Sequence, residues 1–324
     1  MRKFLVATLA IILALGGCAQ NHAGLKVICS NDERICAKWQ QDFQRHARIK
    51  VTIVRLPTWE ALARIENQPG QYDVWLGGPA EAYEVARQKN LLIPYRPKFA
   101  AEIPANYRTQ YWFGVYSSVL AFCSNIPVLK QHAITVPASW TDLESPKMRG
   151  LVVASSPLTS GTAFTTYWTG QQIFGASASV HHDRIYQNIG RYTHAGTAPA
   201  RIVSMGEGGV AISFSPYCRD KAIGSGTHLT VTYPTEGTSY EIGATGLLNH
   251  APHPRNAKIF LDYLSSAHGQ QPTPDIPQLA INTNVEGNIS EFLRATNIKI
   301  IPPNPQEAAT KRGQWLTDLV RHMW

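Results

Sequence analysis

Short apolar runs alternate with amphipathic runs along most of this 324-residue chain. Residues 25–29 form an apolar run of strand length, and Ile35, Trp39 and Phe43 then recur at the four-residue spacing of one helix face. The first predicted strands span residues 25–29, 49–54 and 72–76, and the first predicted helices span residues 32–45, 59–65 and 80–89. Strands that alternate with helices in this way favour an α/β fold with a largely parallel sheet.

The pattern repeats after a long β-rich run at residues 111–123. Here the predicted strands span residues 150–154, 209–214, 227–232 and 240–248, and the predicted helices span residues 162–174, 181–189 and 257–265. Residues 137–140 introduce a further short helix, and a last helix reaches residue 324. The chain length also favours about two domains. We therefore expect two α/β halves.

The first residues carry the pattern of an export signal. A basic start, which includes Arg2 and Lys3, precedes an apolar stretch at residues 4–15 that is too short to span a bilayer as a helix. The small residues before Cys18 resemble the lipobox of bacterial lipoproteins, in which the cysteine is lipidated. We therefore predict a signal peptide at 1–17, a lipidated Cys18 in the cell envelope and a linker at 18–24. Cleavage near Ala19, with an incidental Cys18, is the alternative.

Composition and charge exclude several functions. Hydrophobic residues make up 44% of the chain and charged residues 16%, which is unlike a disordered protein. Without the signal peptide, 28 basic residues face 22 acidic ones, which leaves a net charge of +6. The basic residues are scattered, so we expect no nucleic-acid partner. A weak positive field suits a small anionic ligand.

Four cysteines remain in the exported chain, which is an even number in an oxidising compartment. Three pairings are open. Cys29–Cys36 would close a short loop, and Cys123–Cys218 would close a long one. Buried free thiols are the alternative.

Four loops that precede helices have the composition of anion-binding turns. In open α/β sheets, ligands lie beyond the carboxyl ends of the strands, where helix N-termini offer free N–H groups and a positive dipole. The candidate ligand-binding residues in these loops are Ser30, Asn31, Gly77, Gly78, Ser160, Gly161, Thr162, Gly196, Thr197 and Ala198. One such turn alone is usually an ordinary helix cap. Four of them, spread over two α/β halves, favour a binding site.

Several motifs follow one another as in a known family. They are the stretches at 73–79, 112–114, 138–143, 160–163, 206–214, 234–238, 240–243 and 257–270. Together they resemble the periplasmic solute-binding proteins of ABC transporters, in the branch that binds ferric iron, sugar phosphates and phosphonates. The resemblance implies a two-lobed, type II periplasmic-binding-protein fold. Each lobe is then a mostly parallel sheet flanked by helices, and crossover strands at 111–123 and 227–242 join the lobes.

The resemblance also implies a domain division and a way of working. The first lobe would comprise residues 25–118 and 238–271, the second lobe residues 119–237, and a helical extension residues 272–324. Ligand would be held between the lobes by hinge closure and delivered to an ABC permease. Presentation to a membrane sensor kinase is an alternative partner that the sequence leaves open.

The expected ligand class depends on several further residues. Iron-binding members use adjacent tyrosines after the strand at 210–214, whereas this chain has Tyr217 alone, so iron is the alternative and a phosphorylated or phosphonate ligand is preferred. Glu236 matches a carboxylate that holds the hydroxyl or amine end of such ligands, and Trp112 is a further candidate. Ser215-Pro216 stands where the branch usually has an acidic residue directly after the strand at 210–214. The next acidic residue, Asp220, comes several positions later.

Catalytic and metal-binding motifs are lacking in the sequence. We find no nucleophile elbow, zinc-protease motif or P-loop, so we expect a binding protein without a cofactor, with a hydrolase as the weakest alternative. The adjacent His181 and His182 do not have the spacing of zinc ligands. Arg191 and Arg201 could support an anion or simply face solvent, and Glu207 is expected at the surface.

Overall fold

The sheet at the centre of the molecule passes through both lobes. The computed structural model describes residues 24–220 and 226–321, so the predicted signal peptide and Cys18 lie outside the described residues. The strands are β1 (Leu25–Cys29), β2 (Val51–Arg55), β3 (Val74–Pro79), β4 (Phe113–Ser124), β5 (Val152–Ser155), β6 (Ile189–Thr193), β7 (Val210–Phe214), β8 (Thr230–Thr232), β9 (Tyr240–Leu247) and β10 (Leu279–Ala280). They run in the order β2-β1-β3-β9-β4-β7-β5-β6, and both β8 and β10 also pair with β4.

The helices cover the two faces of this sheet. They are α1 (Glu33–Ala47), α2 (Thr58–Asn67), α3 (Ala80–Gln88), α4 (Ile126–Gln131), α5 (Gly161–Phe174), α6 (Ala178–Tyr186), α7 (Pro199–Ser204), α8 (Ser215–Cys218), α9 (Pro254–Ser265), α10 (Ile289–Ala295) and α11 (Pro305–Arg321). In the described parts of the chain, no helix combines the length and apolar character that crossing a membrane requires.

Strand β4 joins the two lobes. Its residues from Phe113 to Val119 pair with β9, and those from Leu120 to Ser124 pair with β7. The first lobe therefore contains β1–β3, β9 and β10 with α1–α3 and α9, and the second lobe contains β5–β8 with α4–α8. The crossover predicted at 111–123 is confirmed as a single long strand. The boundaries at residues 118 and 238 stay predictions.

Among the ten strands described above, parallel pairing involves three strands in each lobe. Strands β1, β2 and β3 pair in parallel, as do β5, β6 and β7. The pairings of β4 with β7, β8, β9 and β10, and of β3 with β9, are antiparallel. Strands β4 and β9 carry the chain between the lobes in opposite directions, so they pair antiparallel with each other, while β9 runs against β3 and β4 runs against β7. The two-lobed α/β fold is thus confirmed, with a mixed sheet.

Helix α1 shows how local sequence determines an element. Asp32 caps the helix by accepting a hydrogen bond from the Arg34 backbone N–H at 2.9 Å, which satisfies a free donor of the first turn. The buried residues of α1 include Ile35, Trp39 and Phe43, as the spacing predicts. Phe43 is fully buried and packs edge-on against Phe260 of α9, with ring centres 4.8 Å apart.

Strand β6 is the element that the hydrophobic pattern missed. The predicted helix at 181–189 ends earlier, since α6 stops at Tyr186 and β6 begins at Ile189. Strand β6 pairs only with β5 among the described strands, and its central residues Gly190 and Arg191 are exposed. An exposed edge strand does not need an apolar face, so it leaves little signal in the sequence.

Both predicted disulfides are formed. Cys29 at the end of β1 bonds Cys36 in α1, with Cα atoms 6.2 Å apart. Cys123 in β4 bonds Cys218 in α8, with Cα atoms 5.5 Å apart. The alternative of free thiols is therefore wrong for these four residues. Each bridge lies next to a loop that contributes to the site described below.

Candidate ligand-binding site

A cavity of about 330 Å³, counted with its opening to solvent, lies between the two lobes. The first lobe and the crossing strands contribute Ser30, Arg55, Pro57, Thr58, Gly78, Pro79, Tyr116 and Glu241 to its lining. The second lobe contributes Ser160, Gly161, Thr162, Gly196, Thr197, Phe214 and Tyr217. Loops after strands of both lobes therefore converge here, as expected for the carboxyl edge of an α/β sheet.

Eight of the predicted ligand-binding residues line this cavity. They are Ser30, Gly78, Ser160, Gly161, Thr162, Gly196, Thr197 and Tyr217. Asn31 lies behind the wall, where its side chain accepts a hydrogen bond from the Tyr217 hydroxyl at 2.9 Å. Gly77 adjoins Gly78 and uses its carbonyl to accept a hydrogen bond from Tyr83. Ala198 precedes α7 and is not part of the lining.

Two predicted residues lie elsewhere. The Trp112 indole N–H donates to Glu84 at 2.7 Å, and the ring is buried in the first lobe, so it packs as a core residue. The Glu236 carboxylate accepts hydrogen bonds from the backbone N–H groups of Trp140 at 3.1 Å and Thr141 at 3.3 Å. Neither lines the cavity. Glu236 therefore connects the crossover segment predicted at 227–242 to the short helical turn after Trp140. A contact between Glu236 and the ligand stays a prediction.

The N-terminus of α5 forms one side of the cavity. Ser160 precedes the helix, yet its hydroxyl makes no capping bond, and its buried oxygen has no hydrogen-bond partner among the described residues. The first backbone N–H groups of a helix are free and lie at the positive end of its dipole. A hydroxyl that does not cap its own helix, beside such N–H groups, is available to an anion. Helix capping therefore does not explain why a serine stands at position 160.

The loop at residues 193–199 packs directly against this helix start. A Cβ atom at Gly196 would lie 2.0 Å from the Thr162 hydroxyl oxygen and 2.8 Å from the Ser160 hydroxyl oxygen. Only glycine permits so close an approach. The predicted loops that contain Ser160 and Gly196 therefore form one wall of the cavity, although they are more than thirty residues apart in the sequence.

A second helix start faces α5 from the first lobe. Thr58 begins α2, follows Pro57 and lines the cavity. Arg55 at the end of β2 adds a positive charge, and its Nε donates to the Asn31 carbonyl at 3.0 Å. Neither residue was predicted from the sequence. The signal was present, since Leu-Pro-Thr follows a predicted strand and proline is common where a helix begins.

A buried carboxyl and two buried phenols form another part of the cavity wall. Glu241 of β9 is 4% exposed, and its Oε1 has no hydrogen-bond partner within residues 24–220 and 226–321. Burial raises the pKa of this carboxyl well above its usual range, and the nearby Glu81 raises it further. Tyr116 and Tyr217 lie beside it, and burial raises the pKa of both phenols, with the charge of Glu241 adding to the effect.

A buried hydrogen-bond network supports Tyr217 from behind. The Gln278 amide nitrogen lies 3.3 Å from the Tyr217 hydroxyl and 3.3 Å from the Ser118 hydroxyl, while its oxygen accepts from Asn31 at 3.0 Å. The network joins the first lobe, the second lobe and the extension. Tyr217 thus donates its hydroxyl proton to Asn31, and its remaining lone pair can only accept.

Polar contacts bridge the two lobes outside the cavity. Arg34 of α1 binds Asp220 through two contacts, one of them at 3.1 Å, and His194 of the second lobe pairs with Glu60 of α2. Asp220 comes several residues after β7. It pairs with Arg34 and does not line the cavity. These pairs show the lobes in a closed arrangement.

The other polar candidates have structural partners. Arg191 pairs with Glu207 at the surface, and His181 Nδ1 lies 2.5 Å from Glu144 Oε1. In the parts of the chain that the structure covers, no group of three or more His, Cys, Asp and Glu side chains is arranged to hold a metal ion.

The second buried acid near the cavity gives a pH prediction. Burial raises the pKa of the Glu81 carboxyl to about 7, above its ordinary value of 4.5, and a weak bond from Thr165 opposes this only in part. Between these pH values the unfolded chain has lost the proton and the folded chain has kept it. Ionisation therefore destabilises the fold as pH rises from about 4.5 to 7, by roughly 3 kcal/mol when complete.

We expect Glu81→Gln to remove this loss. Its free energy of unfolding should exceed that of the unaltered protein most clearly above pH 7, and the difference should vanish below about pH 4.5. Urea unfolding at a series of pH values measures the difference. The difference also includes the response of Glu241, because Glu81 contributes to the raised pKa of that carboxyl. A difference that does not change with pH would contradict the prediction.

Known proteins resemble the chain over most of its length. The family model of the bacterial extracellular solute-binding proteins matches residues 25–273. An uncharacterized protein of Haemophilus influenzae is 31% identical over 301 residues, which cover 88% of this chain and 86% of that protein.

Solved structures resemble the fold. The periplasmic binding protein AfuA from Actinobacillus pleuropneumoniae, solved with exogenous fructose-6-phosphate bound, is 28% identical with a TM-score of 0.85, and the match covers 93% of this chain and 98% of AfuA. A ferric binding protein from Campylobacter jejuni, at 17% identity and a TM-score of 0.75 over 92% of this chain and 99% of that one, shares the fold. The chain therefore belongs to the bacterial extracellular solute-binding protein family and has the type II periplasmic-binding-protein fold.

Proposed function

We propose that this protein captures a small phosphorylated metabolite, or a related phosphonate, between its lobes and delivers it to an ABC permease. The observation that carries the proposal is the unpartnered Ser160 hydroxyl beside the start of α5, within a cavity that also contains Arg55 and the start of α2. Hydroxyls, helix N-termini and a guanidinium are the groups that bind phosphoryl oxygens. AfuA, which resembles the chain, binds a ligand of this class.

The other end of the ligand faces Glu241 in this proposal. Its free Oε1 and the accepting Tyr217 hydroxyl favour hydroxyl or ammonium groups, which can donate hydrogen bonds. Glu241 thereby takes the role first assigned to Glu236, whose carboxylate is occupied by backbone N–H groups. The ligand would then be a phosphate with a polar, hydrogen-bond-donating body rather than inorganic phosphate.

Ferric iron is the second candidate because two tyrosines and a carboxylate line the cavity together. Tyr116, Tyr217 and Glu241 supply the hard oxygen ligands that Fe³⁺ prefers. Against this, the Tyr116 hydroxyl oxygen already accepts a hydrogen bond from the Gly78 backbone N–H at 3.1 Å. The Tyr217 hydroxyl is also engaged with Asn31. Phosphoryl binding is therefore the preferred function.

The cellular setting is part of the same proposal. A lipidated Cys18 would hold the protein at a membrane of the cell envelope, facing the periplasm, where the disulfides Cys29–Cys36 and Cys123–Cys218 are stable. Family membership supports delivery to a permease rather than catalysis. A membrane sensor remains the other recipient to test.

Titration calorimetry tests the ligand class. We expect fructose 6-phosphate, glucose 6-phosphate or 2-aminoethylphosphonate to bind more tightly than inorganic phosphate. Ser160→Ala should weaken the best of these by about 1–3 kcal/mol, because it removes a hydrogen bond to a charged group. Ser177→Ala is the matched control, since Ser177 follows α5 and bonds the Phe174 carbonyl at the far end of the helix. Tight Fe³⁺ binding that Tyr217→Phe abolishes, with no phosphoryl compound bound, would contradict the proposal.

A further inference from the structure

Helix α11 contacts both lobes. It lies beyond residues 25–273, which match the family model. On the first lobe it packs against α3, where Gln306 donates to Glu84 at 3.5 Å. The Arg312 guanidinium lies 3.8 Å from the ring centre of Trp59 in α2. Gln306 and Arg312 are almost two turns apart on α11, so the contact with the first lobe extends along the helix.

A large aromatic side chain connects α11 to the second lobe. Trp315 is 6% exposed and lies among three aromatic rings of α5. Its ring centre is 6.0 Å from that of Phe164, 5.5 Å from that of Tyr167 and 5.8 Å from that of Trp168. Aromatic rings at these distances attract one another and bury a large apolar area. Trp315 is therefore anchored in the lobe opposite to the one that holds most of α11.

The contacts of α11 with both lobes restrict the hinge motion between them. When the lobes separate, α11 cannot keep both contacts, because α3 and α5 move apart. Because the contact with α3 and α2 extends along the helix, we expect α11 to stay on the first lobe and Trp315 to leave α5. Helix α5 also carries Ser160 at its start, which lies in the cavity. Trp315 therefore acts on the same helix that forms the candidate site.

We propose that α11 is an interlobe strap, in which Trp315 docks on α5 only in the closed form. The docked ring stabilises the closed form before any ligand arrives and slows reopening afterwards. A protein in which closed and open forms exchange changes its populations according to contacts made in one form only. This role does not depend on the identity of the ligand.

Pulsed electron–electron double resonance, which measures the distance between two spin labels, tests the strap on unliganded protein. Nitroxide labels at Ile259→Cys in the first lobe and Met205→Cys in the second occupy exposed positions. We expect the unaltered chain to populate the short interlobe distance of the closed form. Trp315→Ala should raise the ratio of open to closed molecules at least tenfold, and Trp315→Phe should raise it less.

The control separates the strap from a general loss of stability. Phe43→Ala removes a fully buried ring from the first lobe, where its partners Phe260 and Tyr263 are distant in sequence from α11. We expect its distance distribution to match that of the unaltered chain. Unchanged distances in both Trp315 variants, an equal widening in Phe43→Ala, or an unaltered chain that is already fully open would each overturn the proposal.

Discussion

Gly161→Ala should weaken ligand binding by at least about 100-fold, or roughly 3 kcal/mol. A Cβ atom at this position would lie 2.4 Å from Pro79 Cδ and 2.8 Å from the Thr58 hydroxyl oxygen. Gly161 belongs to the second lobe, and both neighbours belong to the first. The added methyl group therefore blocks the approach of the lobes and not the folding of either one. Because alanine favours a helix over glycine by about 1 kcal/mol, the stability of the second lobe should not fall.

Calorimetry with the preferred phosphoryl ligand and small-angle scattering together measure this effect. The unaltered protein should become more compact on adding ligand, whereas Gly161→Ala should stay expanded. Gly313→Ala is the matched control, because it is also a helical glycine and a Cβ there would meet none of the described atoms within 4 Å. If Gly161→Ala binds and compacts like the unaltered protein, the closed arrangement described here is not the one that holds ligand.

The core elements of the fold follow from local sequence. Strand β1 and helix α1 were predicted within a few residues, since a buried strand and a one-sided helix leave strong apolar patterns. The edge strand β6 was missed, because its exposed positions carry no such pattern. The position of α11 was equally hidden. An amphipathic helix reveals that it has an apolar face but not which surface that face covers, and here it covers parts of both lobes.

The candidate site was predictable where it depends on helix starts. Ser160 and Gly161 precede a helix that the sequence reveals, and the loop rule then places them at the sheet edge. Glu241 escaped notice because every residue of β9 is buried, so strand alternation does not single it out. Glu241 pairs with Ser118 of β4. Only the position of these two strands between the lobes brings the carboxyl to the cavity. The motif instead drew attention to Glu236, five residues earlier, which bonds the backbone.

Removing the Cys123–Cys218 disulfide should destabilise the protein by about 4.7 kcal/mol and lower its melting temperature by roughly 5–10 °C. The bridge spans 95 residues, so its loss frees a long loop in the unfolded chain. Cys29–Cys36 spans only seven, for which the same chain-entropy argument gives about 2 kcal/mol. The two bridges therefore form an internal comparison, in which loop length is the main difference.

The long bridge also fixes a part of the candidate site. It ties α8 to β4, and α8 carries Tyr217 next to Cys218. We therefore expect Cys123→Ala/Cys218→Ala to lose ligand affinity as well as stability, measured by calorimetry well below the melting temperature. Cys29→Ala/Cys36→Ala is the control for stability, and calorimetric scanning ranks the two pairs. Equal losses of stability would show that strain or residual structure, and not loop entropy, determines what each bridge contributes.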